Sequence, residues 1–530
     1  MNTALDSVLA YHQRTKHHFQ RYAAGPGEMD WSSQPDPFRT YAGSPQLALP
    51  LLDDIAGPRY VYLYQPDKIA QQALTMQNIA ALLQLALGIS AWKQSGENRW
   101  ALRCNPSSGN LHPTEAYVVV QACEGIADGV HHYVSRDHVL EQRCRFVSTE
   151  SVLPPENILL GLSSIHWREA WKYGERAFRY CQHDVGHAIA AVRYAAATLG
   201  WQVQALTGWS DANLSTVLGI DRDEDFGAAE REHPDVMLQV TTRAMAVENS
   251  VAYDMLVDAA AGGHWQGRAN VLSDYHLHDW PVIGETAAAS VKPETLAAAW
   301  QAPMLPMPLS SPCQHSARQI IQQRRSAQSF DGVGSIAASS FYRMLDMALP
   351  RRGILPWDAI DWAPRIHLAL FVHRVDEVEP GLYFFLRNPR SEATLRPLFN
   401  PEFEWTRVEG CPAHLPLFRL VAADARNAAR ALSCHQDIAA DGAFSLGMLA
   451  EYESNLAAGP WVYRQLFWEA GMLGQVLYLE AEAAGVRGTG IGCYFDDGVH
   501  DVLGLKGQEL QSMYHFTVGA SVMDTRLQTF

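Results

Sequence analysis

Apolar residues recur at helical spacing in two long stretches of this chain. From Trp171 to Leu199, the residues Phe178, Cys181, Val185, Ile189, Val192, Ala196 and Leu199 fall on one face, and Gly200 closes the run. Further on, Leu466, Phe467, Ala470, Leu473, Leu477, Ala481 and Ala484 repeat that pattern before Gly485. Both stretches predict long helices, as does Ile69 to Leu87, stopped by Gly88. Glu175 and Arg179 are spaced for an i,i+4 ion pair. The continuous apolar run Ala116-Tyr117-Val118-Val119-Val120 predicts a buried strand, and Gly129-Val130-His131-His132-Tyr133 a turn into another. Pro35, Pro37, Pro45, Pro50 and Pro58 predict extended wrapping between the first residues and these elements.

The helical pattern is part of a repeat. A shift of 285 residues carries Gly186 onto Gly471, Gly200 onto Gly485, Asp211 onto Asp496 and Leu218-Gly219-Ile220 onto Leu503-Gly504-Leu505 without a gap. Gly129 to Tyr133 resembles Gly381 to Phe385, and Gln13 to Phe19 resembles Arg324 to Phe330. Two similar halves in the same order imply duplication. The predicted architecture is α+β: two domains, each an antiparallel-type sheet flanked by long helices, packed as an intramolecular pseudo-dimer. The boundaries expected are 1–246 for the first domain, 247–312 for a linker ending in the proline cluster Pro303 to Pro312, and 313–530 for the second.

The halves differ in their polar loops. Asn105 to Glu115 is a turn-forming cluster that feeds the first buried strand, and it contains Pro106-Ser107-Ser108-Gly109-Asn110. Alone it reads as an ordinary loop entering a core strand. Its counterpart, Asp358 to Trp362, has neither the hydroxyls nor the glycine. Conversely, Gly488-Thr489-Gly490-Ile491-Gly492 corresponds to Val203 to Thr207, which has no glycine, and Arg324-Arg325-Ser326 corresponds to Arg14-Thr15-Lys16. A site needing all three features is complete only once, and only across the two halves. Glycines admit the backbone close to a flat ligand. Paired arginines with a serine suit a phosphate, and Ser107, Ser108 and Asn110 supply donors and acceptors to a heterocycle edge or a polyol.

Composition narrows the partners. The 530 residues carry 41 Lys and Arg against 57 Asp and Glu, a net charge of −16, with no basic stripe. That balance excludes nucleic acid and anionic membrane surfaces as expected partners. No secretory h-region opens the sequence and no apolar stretch is long enough for a membrane span. The 8 cysteines are scattered without a CxxC pair, a usage that fits reduced thiols and a cytoplasmic location.

These motifs resemble the nitroreductase superfamily of FMN proteins, and within it the SagB-type azoline dehydrogenases, here as a tandem fusion. The resemblance rests on Arg324 to Phe330, Pro106 to Glu115, Lys172-Tyr173-Gly174-Glu175-Arg176, and Gly488 to Gly492 with Phe495-Asp496-Asp497. It covers most of both halves but not Val247 to Pro312. It implies one FMN per chain, held by Pro106, Ser107, Ser108 and Asn110 from one half and Arg324, Arg325, Ser326, Gln328, Gly490 and Ile491 from the other. Arg526, in Asp524-Thr525-Arg526-Leu527, is a further phosphate ligand by the same resemblance. Lys172 and Tyr173 resemble the pair that removes a proton beside the flavin; on their own residues they read equally as a surface lysine and an interfacial tyrosine at a helix start.

The function implied is oxidation of a small heterocyclic or peptide-derived substrate, with oxygen or another acceptor taking the electrons. The alternatives are an NAD(P)H-dependent nitro or quinone reductase, and a flavin-free pseudo-enzyme that binds a peptide or protein partner. Association of chains into a larger oligomer is compatible with each. His183 and His187 imitate a zinc-binding helix, but Trp468 and Met472 occupy their counterparts, so both read as packing positions and no metal is expected. His17, His18, His131 and His132 read as half-exposed.

Overall fold

The computed structural model describes residues 3–530 apart from 53, 148–149, 244–252, 297–299 and 525. Helices and antiparallel sheets build both halves. The first sheet contains β1 (Thr114–Val120), β2 (Gly129–Val134), β3 (Val139–Arg145) and β4 (Asn157–Ser164). The helices α1 (His166–Tyr173) and α2 (Ala177–Ala197) follow, then β5 (Gln202–Ala205) and β6 (His233–Thr241). The second sheet contains β7 (Ile366–Val372), β8 (Gly381–Phe385), β9 (Leu417–Ala422) and β10 (Phe444–Glu451), then α3 (Val462–Ala483), β11 (Arg487–Ile491) and β12 (Leu510–Gly519). Strand order is β3-β2-β1-β4-β6-β5 in the first and β9-β8-β7-β10-β12-β11 in the second, so the two sheets are wound alike. β1 and β7 are buried along their whole length, as continuous apolar runs require.

Helices α2 and α3 pack against each other between the sheets. Their approach is set by two glycines. A Cβ on Gly186 would lie 2.1 Å from the Trp468 carbonyl oxygen, and one on Gly471 would lie 2.2 Å from that of His183. The ends of these helices are tied by mirrored ion pairs. Arg179 Nη1 donates to Asp496 Oδ1 at 2.8 Å, and Arg464 Nη2 donates to Asp211 Oδ2 at 2.7 Å. All four side chains are buried.

Several elements differ from the sequence reading. The helix expected from Trp171 breaks at Gly174, whose φ of 57° ends α1 and turns the chain into α2. Lys172 and Tyr173 therefore sit at a helix end, not a helix start. Glu175 and Arg179 do not pair with each other. Glu175 accepts from Arg14, and Arg179 reaches Asp496, Thr15 and the His12 carbonyl. The helix expected from Ile69 starts at Met76, where the Thr75 hydroxyl caps it by accepting from Asn78 N. The boundary expected at 246/247 lies outside the described residues. The segment expected as a linker carries helices Tyr253–Ala261 and Pro281–Ala289. It also supplies short strands: His264–Trp265 pairs with β3, and Arg268–Ala269 pairs with Tyr41–Ala42. Leu256 and Ala260, one helical turn apart, bury against the first sheet and give this segment its own apolar footing. Among the described residues no helix is long and apolar enough to cross a membrane.

His17, His131 and His132 are buried rather than half-exposed. His132 lies between two carboxylates, with Nε2 3.0 Å from Glu115 and Nδ1 3.1 Å from Glu141. Glu115 also accepts from Arg168 Nη1, which donates to the His112 carbonyl at 2.7 Å. One guanidinium thus ties α1 to both ends of the turn that enters β1. Burial alone would lower the His132 pKa, but its bonds to Glu115 and Glu141 raise it to about 9. Burial would raise that of Glu115, but Arg168 and His132 hold it at about 2.

Gly186→Ala adds helix propensity of about 1 kcal/mol, yet its methyl meets backbone that cannot rotate away. A net loss of roughly 1–3 kcal/mol is expected in denaturant unfolding; an unchanged or raised midpoint would mean that the helices do not touch there. The second expectation concerns pH. The folded pKa of His132 lies above its ordinary value, so its contribution is complete below about pH 6.5 and is lost as pH rises through about 9. Stability should fall across that window by an amount on the order of 3 kcal/mol, and His132→Gln should remove that slope from a series of unfolding curves.

Candidate cofactor and active site

A cleft of about 580 Å³ opens where the two halves meet. One wall is the 105–110 loop. Gly109 has φ 62°, and Asn110 and His112 are also left-handed at 58° and 51°, conformations a short amide side chain tolerates best. Ser107 Oγ accepts from His112 N at 2.9 Å, which closes the turn. The end of α1 lies against this loop. A Cβ on Gly109 would be 2.7 Å from Tyr173 Oη and 3.0 Å from Lys172 Nζ, so both polar tips converge where the missing side chain would be. Lys172 Nζ lies 5.4 Å from the centre of the Tyr173 ring. Burial raises the Tyr173 pKa well above its ordinary value, and the nearby Glu169 adds to this, so the phenol keeps its proton.

The facing wall comes from the second half. Arg324 is buried; its Nη2 donates to the Arg103 carbonyl at 2.9 Å, while its Nε has no partner. Arg325 donates to the carbonyls of Gln322, Arg324 and Ser90. Burial lowers the pKa of Arg324, and burial with the Arg324 charge brings Arg325 down to about 10. Two guanidinia side by side, bonded to carbonyls, present unneutralised positive charge to the cleft. Ser326 Oγ is 2.9 Å from Tyr478 Oη, which accepts from Gly490 N at 2.9 Å. A Cβ on Gly490 would fall 1.9 Å from Tyr514 Oη, so glycine is what lets β11 line the cleft. Beyond it, Arg176 and Tyr180 of the first half donate to the Gly492 carbonyl at 3.3 and 3.1 Å.

The cleft thus gathers Pro106, Ser107, Ser108, Asn110, Lys172 and Tyr173 with Arg324, Arg325, Ser326, Gln328, Gly490 and Ile491. Arg526 does not join them. It is exposed and bonds Asp524 with its Nη2 at 2.7 Å, and the intervening residue 525 is outside the described residues. Sequence reasoning missed Lys93 and Trp100, which line the cleft from a hairpin of strands Ile89–Ser95 and Asn98–Arg103. The signal was present: two runs of alternating character joined by Gly96-Glu97. That hairpin pairs along its other edge with Gln528–Thr529. Asp184 was missed because it lies on α2 and reaches the cleft only through tertiary packing.

The counterpart loop is bonded to protein groups. Asp358 accepts from Arg193 at 2.9 and 2.8 Å, Asp361 accepts from Thr207, and the Trp362 indole donates to Glu469 at 3.3 Å. His183 serves as a packing group, whereas His187 also lines the cleft. His183 stacks on Tyr514 at 4.1 Å between ring centres and bonds the Met513 carbonyl, while His187 lies 3.3 Å from Tyr514 Oη.

The chemistry of the donor set fits FMN. The volume suits a cofactor of that size, the unpartnered Arg324 Nε and the Ser326 hydroxyl fit a phosphate, and the unpartnered, buried Asn105 Oδ1 and the 107–110 loop fit a polar ring edge.

The Nitroreductase family model matches residues 64–229. A candidate nitroreductase of Methanocaldococcus jannaschii is 25% identical over 156 residues, which span 28% of this chain and 75% of that protein. Among solved structures, a candidate nitroreductase from Anabaena variabilis is 20% identical, covers 97% of this chain and 99% of its own, and superposes with a TM-score of 0.66. Residues 64–229 therefore resemble the Nitroreductase family, within a chain that shares the fold of the Anabaena protein along nearly its whole length.

Proposed function

We propose that the cleft binds one FMN per chain and that the protein is a flavin-dependent dehydrogenase of nitroreductase type, acting on a small heterocyclic or peptide-derived substrate. The observation that carries this reading is the meeting of the Ser107-Ser108 loop with Arg324, Ser326 and Gly490 around one cavity. On the same reading, residues 1–246 and 313–530 are two nitroreductase-like halves packed as a pseudo-dimer. The matching strand orders and the mirrored Arg179–Asp496 and Arg464–Asp211 pairs support that. The counterpart loop, which lacks the hydroxyls and glycine and whose Asp358 pairs with Arg193, supports a single cofactor.

When bound, FMN supplies a two-electron acceptor for the hydride. Arg324, Arg325 and Ser326 hold its phosphate; Ser107, Ser108 and Asn110 hold the opposite edge. Lys172 Nζ, set beside Gly109, is the group placed to take the substrate proton. Tyr173, kept protonated by burial, donates a hydrogen bond that orients the substrate. A second reading, an NAD(P)H-dependent nitro or quinone reductase, is favoured by the family match and by what the Methanocaldococcus relative is named for; the same residues would hold the cofactor.

Purified protein should be yellow, with flavin absorbance near one equivalent per chain. Colourless protein that does not take up added FMN would leave only a partner-binding role. Arg324→Ala should weaken FMN binding by about 10- to 100-fold, the loss of one charge-assisted contact, read by fluorescence titration of the apoprotein. Lys172→Ala should retain flavin and slow substrate-driven flavin bleaching by about 10²–10⁴-fold. Rapid anaerobic bleaching by NADPH, unaffected by Lys172→Ala, would favour the reductase.

A further inference from the structure

Two carboxyl groups behind the cleft have no role in the mechanism above. Glu169 precedes Tyr173 by one turn of α1. It is fully buried, and neither of its carboxyl oxygens has a hydrogen-bond partner. Asp184, on α2, is buried and lines the cleft; its Oδ1 accepts from Ser108 N at 3.3 Å and its Oδ2 has no partner. A buried carboxylate without donors is strongly disfavoured, and two neighbouring ones do not ionise together.

The second half provides an internal comparison. The 285-residue shift carries Asp184 onto Glu469. Glu469 is equally buried, but it accepts from Arg387, from the Trp362 indole, and from the backbone N–H groups of Arg365 and Ile366. That acid is met by four donors. The same helix position beside the cleft has only the donors of Ser107 and Ser108 and no bonded guanidinium, so the sparse bonding of Asp184 is not a demand of the fold.

We propose that Asp184 and Glu169 form a proton-holding carboxyl pair that receives, through Lys172, the proton taken from the substrate. This rests on the reading of Lys172 as the base. In the first step one substrate C–H bond breaks, its proton forms an N–H bond on Lys172 Nζ and its electron pair becomes the new double bond of the product, while an adjacent C–H bond breaks and its hydrogen leaves with both electrons as hydride to the flavin-type acceptor. In the second, that N–H bond breaks, an O–H bond forms on Asp184, and the amine is restored. An ammonium and a carboxylate become two neutral groups, a change that low-dielectric surroundings favour. Both acids act through Lys172, so they are positioning residues for its proton.

The groups around the pair fit this assignment. Asp184 interacts electrostatically with Arg103 from the hairpin, Ser107 and Ser108 from the loop, Tyr173 from α1, Cys181 on its own helix and Tyr514 from β12; Glu169 does so with Asp184, Lys172, Tyr173 and Cys181. Burial pushes Asp184 up to about 7 against the hydrogen bonds of Ser107 and Ser108 and the Arg103 charge. Burial and the Asp184 charge push Glu169 well above the carboxylate range.

Infrared titration of the flavin-free protein reads the pair directly. One protonated-carboxyl band should titrate near neutral pH and be absent in Asp184→Asn. A second should persist to higher pH and be absent in Glu169→Gln. If neither band remains at about pH 5, where an ordinary carboxyl has begun to ionise, the proposal is overturned. In the flavin-loaded protein, Asp184→Asn keeps an acceptor for Ser108 N, so FMN affinity should hold. Substrate-driven bleaching should slow by about 10²-fold and lose its limb near neutral pH. An unchanged rate and pH profile would overturn the relay even with both bands present. Failure to bind flavin would instead defeat the reading of the site, and the relay with it, while the bands persist, so the two failures are distinguishable.

Discussion

The contact on which everything else depends is the crossing of α2 and α3 at Gly186 and Gly471. Each glycine lets the backbone of one helix touch a carbonyl of the other, at 2.1 and 2.2 Å from where a Cβ would sit. A separation of one methyl group more would move the 105–110 loop and β11 apart, because the loop bonds Asp184 on α2 while β11 packs on α3. The loop is held by Arg168 on α1, and the Gly492 carbonyl by Arg176 and Tyr180 at the start of α2. Close packing of this kind transmits small displacements instead of absorbing them.

Buried charge then fixes the register. Arg179 and Arg464 each meet an aspartate across the crossing, and Arg168, Glu115, His132 and Glu141 alternate in sign within the first half. Such pairs offset their own desolvation with little left over, yet they penalise any alternative pairing heavily, since an orphaned partner would remain buried. The apolar layers bring the sheets and helices together; the ion pairs decide how they are aligned.

Much of this was legible in the sequence because it is periodic or local. The two stretches of helical spacing are the helices α2 and α3, and the apolar run at 116–120 is a fully buried strand. The divided arrangement of the cleft followed from comparing loops between halves. What remained hidden depends on tertiary neighbours. Gly174 stops a helix whose apolar pattern continues through it. His132 is polar by type and buried by two carboxylates that lie at sequence positions 115 and 141. Arg526 carries the right charge on a segment that the fold leaves at the surface. Asp184 sits in a helix whose face gives no hint that one turn of it opens into a cleft.

The hairpin that supplies Lys93 and Trp100 has its outer edge covered where Gln94 pairs with Gln528. Contacts between segments so distant form late, since a long loop must close before they can stabilise anything. During synthesis the 105–110 loop and the end of α1 are therefore complete long before Arg324, Gly490 and the 528–529 strand exist. The first half must wait with its side of the cleft open to solvent, and the cofactor-sized cavity is among the last features of the molecule to acquire its shape.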